Sequence, residues 1–441
     1  MNPASIAECN ETYTISIFSV NAGIDNNAAT ITNTGKNFRK LLHQQAVGVN
    51  DIFVFNNKAS ITAFGPYLDY RLPGLMFNIK QKHSFAITAR IRAINQMNNF
   101  NRDVYHSLID KEKPITVSNN NMDMSDFNWT LHAWTEIGFS YGGVLFTRGR
   151  HRVIMGFTAK YLTGILYSSM VSKQFAGKFN TEAAQLNFNA DVSFASNMST
   201  TPQSENAGVN ISNNILSNNS GSGVGGDVGF IYEFKIDRES DQYKFKVSFA
   251  VNDMGAITYS NNNTIIHMAG DGKLNLAHIG DSIKNINAFT NYMAGHGLRT
   301  DTTNAAAKVH LPTAIVAGFD YNVNDFVFIN LMYLYNIAGK NDFGNFYYDQ
   351  ISITPRYTTT TFSVGVPITY SFLSNKIKMG LGIRFNGFYI GSDDMMAFFM
   401  SNQTGINLYA GATIHIHPKL PKIHFKSNNE VLNLYWASPL R

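Results

Sequence analysis

The 441-residue chain carries only 15% charged residues against 13% aromatics, with 33 Phe and 21 Tyr, a poor surface for a soluble protein, where charge runs at roughly 25%. No run of about 18 uncharged apolar residues is present, which argues against a helical membrane protein and leaves the closed barrel as the way to span lipid. The net charge of +5 is spread along the chain, so no nucleic-acid partner is expected; the single cysteine, Cys9, rules out an internal disulfide and a Cys-based zinc site.

In chain order, the sequence opens Met1-Asn2-Pro3-Ala4 with neither a basic nor an apolar leader region. A barrel must be exported, so this numbering is expected to begin near the mature end of a processed precursor, its signal peptide removed or missing. A first strand is predicted near 12–20. Residues 35–47 then place Phe38, Leu41, Leu42 and, less cleanly, Ala46 on one helical face after Thr34. That helix either plugs the lumen or lies as a surface or periplasmic helix, so 1–58 is expected to serve partly as an N-terminal plug or periplasmic segment of a single barrel domain spanning 1–441.

Strands follow near 62–80, 84–96, 130–146 and 151–168. Near 190, Leu186, Phe188, Ala190, Val192 and Phe194 oppose Asn187, Asn189, Asp191 and Ser193. Another strand is expected near 226–236. Near 245, Tyr243, Phe245, Val247, Phe249 and Val251 oppose Lys244, Lys246, Ser248 and Asn252. A helix is expected over 281–293, with Ile283, Ile286 and Phe289 spaced on one face after Asp281. Strands near 309–321, 326–337 and 359–372 lead to the clearest alternation of all. There Ile377, Met379, Leu381, Ile383 and Phe385 share one face and Lys378, Gly380, Gly382, Arg384 and Asn386 the other. A strand near 404–416 and a weak closing strand within 421–436 complete the set.

Repeated period-two alternation of this kind predicts half-wet strands with one face to lipid and one to water. The fold class is therefore all-β: a single transmembrane antiparallel β-barrel of about 14 strands, within a range of 12 to 16. Tight turns fit Lys80 to His83, Arg148-Gly149-Arg150, Asp237 to Asp241, Asn322 to Asp325 and Ser374-Asn375. The Asn/Ser/Gly-rich stretches 97–129, 198–225, 260–308 and 338–356 read as extracellular loops. Between 169 and 243 the alternation of short and long links breaks, pointing to a missing strand or a lumenal insertion. Tyr141, Tyr161, Tyr259, Tyr333, Tyr370 and Tyr389 are candidates for interfacial girdles, although β-propensity alone also enriches Tyr.

The inward positions carry Arg90, Arg92, Lys160, Asp191, Asp227, Glu233, Lys244, Lys246, Asp320, Lys378 and Arg384, which are expected to face the lumen. They read either as a network of opposite charges filling it or, since Arg and Lys outnumber the carboxylates, as a path or patch selecting anionic headgroups. His415 and His417 share a face but have neither a carboxylate nor a third ligand beside them, so no catalytic or metal site is expected. The Gly221 to Gly229 stretch leads into a strand and not a helix, which argues against a phosphate loop. No enzyme activity and no cofactor are expected.

Asn2-Pro3-Ala4, the run Gly156-Phe157-Thr158-Ala159-Lys160-Tyr161-Leu162-Thr163-Gly164, and two Asp-x-Gly strands form a recognisable pattern. Those strands are Gly226-Asp227-Val228-Gly229-Phe230-Ile231-Tyr232 and Val251-Asn252-Asp253-Met254-Gly255-Ala256-Ile257-Thr258-Tyr259. Together they resemble an uncharacterised family of Bacteroidota outer-membrane barrels, similar in architecture to FadL and PorV. The resemblance implies about fourteen strands, an N-terminal segment at or inside the lumen, and an outer-membrane location. FadL-like members carry hydrophobic compounds and PorV-like members assist type IX secretion. Two functions are expected from it: a passive channel for small apolar or amphipathic molecules, or a non-transporting scaffold for a secretion or surface protein. Membrane lipid is the partner common to both.

Overall fold

The computed structural model describes residues 2–8, 11–31, 60–79, 82–102, 121–180, 185–197, 221–238, 242–260, 263–275, 286–339, 343–400 and 403–416, with short pieces at 40, 43 and 53–55. Twenty-two hydrogen-bonded segments make one sheet, which closes as fourteen antiparallel passes. These are β1 (Tyr13–Asn26), β2 (Ser60–Arg71 and Gly74–Ile79), β3 (His83–Asn101), β4 (Asn121–Asp123 and Asn128–Arg148) and β5 (His151–Asn180). Next come β6 (Gln185–Ser196 and Gly221–Lys235), β7 (Tyr243–Tyr259 and Thr264–Asn275) and β8 (Arg299–Thr303, Ala307–His310 and Ala314–Asn322). The series ends with β9 (Val327–Asn336), β10 (Gln350–Thr358), β11 (Phe362–Gly365 and Ile368–Ser371), β12 (Lys376–Met379 and Leu381–Phe385), β13 (Phe388–Ser392) and β14 (Gly405–Ile416). The interruption in β2 falls at Pro73 and that in β11 at Pro367, where a residue without an N–H cannot donate to the ladder.

Closure runs from Tyr13↔Ile416 to Asp25↔Gly405. The barrel is therefore sealed by β14, and the expected closing strand within 421–436 lies outside the described residues. Two whole passes escape the sequence reading, and the stretch 260–308, expected to be loop, carries the strand segments Thr264–Asn275 and Arg299–Thr303. β10 sits inside a stretch expected to be loop, and β13 is only five residues long. Short turns gather at the end that holds Tyr13, so that end is periplasmic by the usual barrel asymmetry.

The outer wall is apolar in rows. Phe319, Leu331, Ile353, Ile368 and Met379 are cross-strand neighbours on β8 to β12, and all five are exposed. A contiguous apolar band of this extent is what a lipid-facing surface requires. Leu331 lies midway along β9, so Leu331→Arg is expected to cost about 2–4 kcal/mol of folding into vesicles. Leu331→Phe should leave stability nearly unchanged. Urea titration read by heat-modifiable gel migration checks both.

Between 169 and 243 the chain extends the sheet outward. β5 continues to Asn180, and the chain returns through Gln185–Ser196 before re-entering the barrel at Gly221. There Leu186, Phe188, Ala190 and Val192 are buried with Met122, Phe175, Met268, Met293 and Leu298. The apolar face near 190 thus packs in a protein core and does not meet lipid, a correction to the alternation reading. The helix expected at 281–293 appears as α1 (Ile286–Gly295), its earlier residues lying outside the described set. The expected helix 35–47 also falls outside, apart from Lys40 and His43. Tyr259 is fully buried and stacked on Tyr167, centroids 5.2 Å apart, so it belongs to the interior and not to a girdle.

Candidate functional site

The interior is filled in three tiers. At the periplasmic end a 3₁₀ segment, Pro3–Glu8, lies within the barrel. Gly142, Gly156 and Gly229 are cross-strand neighbours on β4, β5 and β6, and a Cβ on any of them would collide with Ile6, with the Pro3–Ala4 backbone, or with Asn2, respectively. This glycine row makes the groove in which the segment sits. Asn2 Nδ2 donates to the carbonyls of Phe230 (3.1 Å) and Phe249 (3.2 Å), Arg152 donates to Ala7 O at 2.8 Å, and Lys246 Nζ meets Glu8 Oε1 at 2.9 Å. Arg152 also pairs with Glu233 at 3.1 Å.

Above the plug, strands β2 to β7 converge on a buried ion network. Arg90 meets Glu136 (2.7 Å), Asp253 (3.1 Å) and Asp69 (3.3 Å). Arg92 meets Asp253 (3.1 Å) and Glu136 (3.2 Å), and its guanidinium lies 4.7 Å over the Trp134 ring. Lys160 bridges Asp227 (2.6 Å) and Asp253 (2.7 Å). Asp253 holds a left-handed backbone, φ 57°, and its N–H donates to Asp227 Oδ1 at 2.7 Å. Tyr347 donates to Asp253 Oδ2 at 3.2 Å and accepts from Arg92. A cavity of about 130 Å³ separates network and plug, lined by Pro3, Ile6, Arg90, Glu136, Lys160 and Asp253 among others. It is large enough for several waters.

The third tier is apolar. Phe64, Tyr67, Ile94, Trp134, Tyr167 and Tyr259 form one buried cluster on the inner wall. The stretch 343–349, expected to be part of an extracellular loop, folds into it. Gln96 clamps the Phe346 backbone through both amide ends, at 2.9 and 3.0 Å, and Asn345 reaches Thr130 O at 3.3 Å.

The expected lumen residues therefore divide. Arg90, Arg92, Lys160 and Asp227 meet in the network; Glu233 and Lys246 tie down the plug region. Asp320 pairs with Arg356 at 2.7 Å and accepts from Tyr243 at 3.0 Å. Lys378 pairs with Asp25 at 2.7 Å near the outer rim. Arg384 is buried and donates to the carbonyls of Asn386 and Thr359.

Two of them depart from the alternation. A bulge between β6 and β7 turns Tyr243 inward and leaves Lys244 over the exposed ring of Tyr321, bonded to Asn322 O. Asp191 is partly exposed in the outer extension and bonds His267 at 2.9 Å. His415 bonds Glu11 at 2.6 Å, while His417 lies outside the described residues. Sequence reasoning missed Asp69, Glu136, Asp253, Glu8 and Arg356. Of these, only Asp253 carried a signal, its place in the second Asp-x-Gly motif.

Residues 3–393 match the description Family of unknown function (DUF5723). The chain belongs to that family. No curated protein matches it. Among solved structures it is similar to the toluene transporter TbuX of Ralstonia pickettii (9% identity, 94% of this chain and 92% of that one, TM-score 0.41). It is also similar to the P. putida toluene transporter TodX (8%, 94% and 93%, 0.44) and to a Pseudomonas aeruginosa FadL homologue (11%, 94% and 93%, 0.41). The run Gly156 to Gly164 and both Asp-x-Gly strands supply Gly156 and Gly229 to the plug groove and Lys160, Asp227 and Asp253 to the network.

Proposed function

We propose that this protein is an outer-membrane channel that admits small apolar or amphipathic molecules and stands closed in this conformation. The observation that carries the reading is the apolar upper lumen. An inward face made of Phe64, Tyr67, Ile94, Trp134, Tyr167 and Tyr259 is unlike the polar filling of a barrel built only to hold shape or pass ions. Apolar and aromatic linings with a few placed polar groups are what small-ligand sites use. Below that lining the path is blocked by the ion network and the Pro3–Glu8 plug, so passage requires the plug to move.

The test is uptake of a fluorescent apolar dye, N-phenyl-1-naphthylamine, by cells whose outer leaflet is lipopolysaccharide. Expression of the folded barrel should raise uptake several-fold, and deletion of residues 2–8 should raise it further. Unchanged uptake in both cases, with the barrel present and heat-modifiable, rejects the channel in favour of a sealed barrel.

A further inference from the structure

A second cavity, of about 100 Å³, lies at the outer rim between β1, β2, β12 and the turn after β13. Its chemistry has two sides. One is aromatic: Phe64, Tyr67, Tyr347 and Tyr348 line it, with Phe64 5.6, 5.9 and 6.4 Å from the other three ring centres. The other is acidic: Asp25, Asp393 and Asp394 line it with Lys378. Lys378 is committed to Asp25 at 2.7 Å and stands 3.9 Å from Asp394. Gly405 makes that approach possible, since a Cβ there would sit 2.5 Å from Lys378 Nζ. Asp393 is held by Asn407 at 3.0 Å.

Asp394 is different. It is only 2% exposed, and among the described residues no side chain donates a hydrogen bond to its carboxylate. A buried carboxylate left this way costs free energy unless a cation or donor meets it. Three carboxylates against one ammonium leave the cavity short of positive charge. Among the described residues no three His, Cys, Asp or Glu side chains converge to hold a metal ion, whereas aromatic faces beside carboxylates suit an organic cation.

We propose that this cavity binds a small organic ammonium ion, its head against Asp394 and Asp25 and its carbon part against the rings of Phe64, Tyr67 and Tyr347. About a fifth of the Asp25 side chain is exposed, so solvent reaches the carboxylates. The site shares Phe64 and Tyr67 with the apolar lining and Tyr347 with the ion network, but its carboxylates, Asp25, Asp393 and Asp394, belong to neither, so ammonium binding can be read whether or not the barrel conducts an apolar compound.

Asp394 lies in a turn outside the strands, and burial pushes its carboxyl up to about 7, against the pull of Lys378 and of the Ala397 N–H and with the push of Asp25 and Asp393. A bound ammonium favours the ionised form, so binding strengthens as pH rises from 6 to 8. The experiment is calorimetric titration of the full chain in mild detergent with ethylammonium chloride, using ethanol as the uncharged counterpart of equal size. One equivalent of ethylammonium should bind and ethanol should not. Asp394→Asn should weaken the ion at least tenfold and remove the pH dependence, while Lys378→Met should tighten it, both variants remaining heat-modifiable. Equal binding of ethanol, displacement by equimolar sodium, or unchanged affinity in both variants overturns the proposal.

Discussion

Replacing Lys160 with methionine is expected to cost about 3–5 kcal/mol of folding stability, the range found when one partner of a buried ion pair is removed. The connectivity of the network explains why this position should be worse than its neighbours. Asp253 is shared by three cations, but each of them keeps another carboxylate when Asp253 becomes Asn: Arg90 keeps Glu136 and Asp69, Arg92 keeps Glu136, and Lys160 keeps Asp227. Lys160, by contrast, is the ion-pair partner of Asp227 among the described residues, at 2.6 Å. Its loss leaves that carboxylate with the Asp253 N–H but no cation among the described residues, and weakens Asp253. Urea unfolding from lipid vesicles should therefore rank Lys160→Met below Asp253→Asn. The double variant Lys160→Met/Asp227→Asn should recover part of the loss, since it removes the stranded charge. Equal losses for the two single variants would mean that the network acts as a diffuse charge balance and not through its named pairs.

The barrel itself was legible because a wall between lipid and water enforces alternation, strand after strand, as in Ile377 to Phe385 and Phe245 to Val251. Alternation states that a strand has two faces; it does not say which environment meets each face. Leu186 to Val192 shows the difference, since its apolar side packs on Met268, Met293 and Leu298 in the outer extension. A single bulge has a similar effect at Tyr243 and Lys244, exchanging inside for outside because the side-chain period is two. The inward charges could be placed in the lumen, but their partners could not. Glu136 lies across one strand pair from Arg90, yet Asp253 is 163 residues away from it, and no local spacing announces such a meeting. β10 was hidden by its setting: Gln350–Thr358 follows an Asn- and Tyr-rich run that reads as loop, and that run is the stretch that folds into the lumen.

Gly156→Val should expel the N-terminal plug. A Cβ at this position would lie 2.4 Å from the Pro3 carbonyl carbon and the Ala4 nitrogen, and main chain cannot rotate out of the way as a side-chain tip can. At Gly229 the nearest obstacle is the Asn2 amide, and at Gly142 it is the Ile6 side chain; both can yield, so substitutions there should have smaller effects. The plug's polar anchors among the described residues include Lys246–Glu8, Arg152 to Ala7 O, and the two Asn2 amide bonds. Hydrogen bonds to charged groups contribute about 1.5–3 kcal/mol and neutral ones about 0.5–1.5 kcal/mol, so a backbone collision of this depth is enough to overcome them.

In a Cys9→Ser background, Ala4→Cys should be shielded from a water-soluble maleimide, because Ala4 is fully buried, and the added Gly156→Val should make it react readily. Planar-bilayer conductance measured on the same proteins locates the barrier to flow. A rise in conductance together with maleimide reactivity makes the plug the gate. Reactivity without conductance moves the gate upward, to the Lys160 network and the Phe346 segment clamped by Gln96, where the lumen remains closed by contacts the plug does not make.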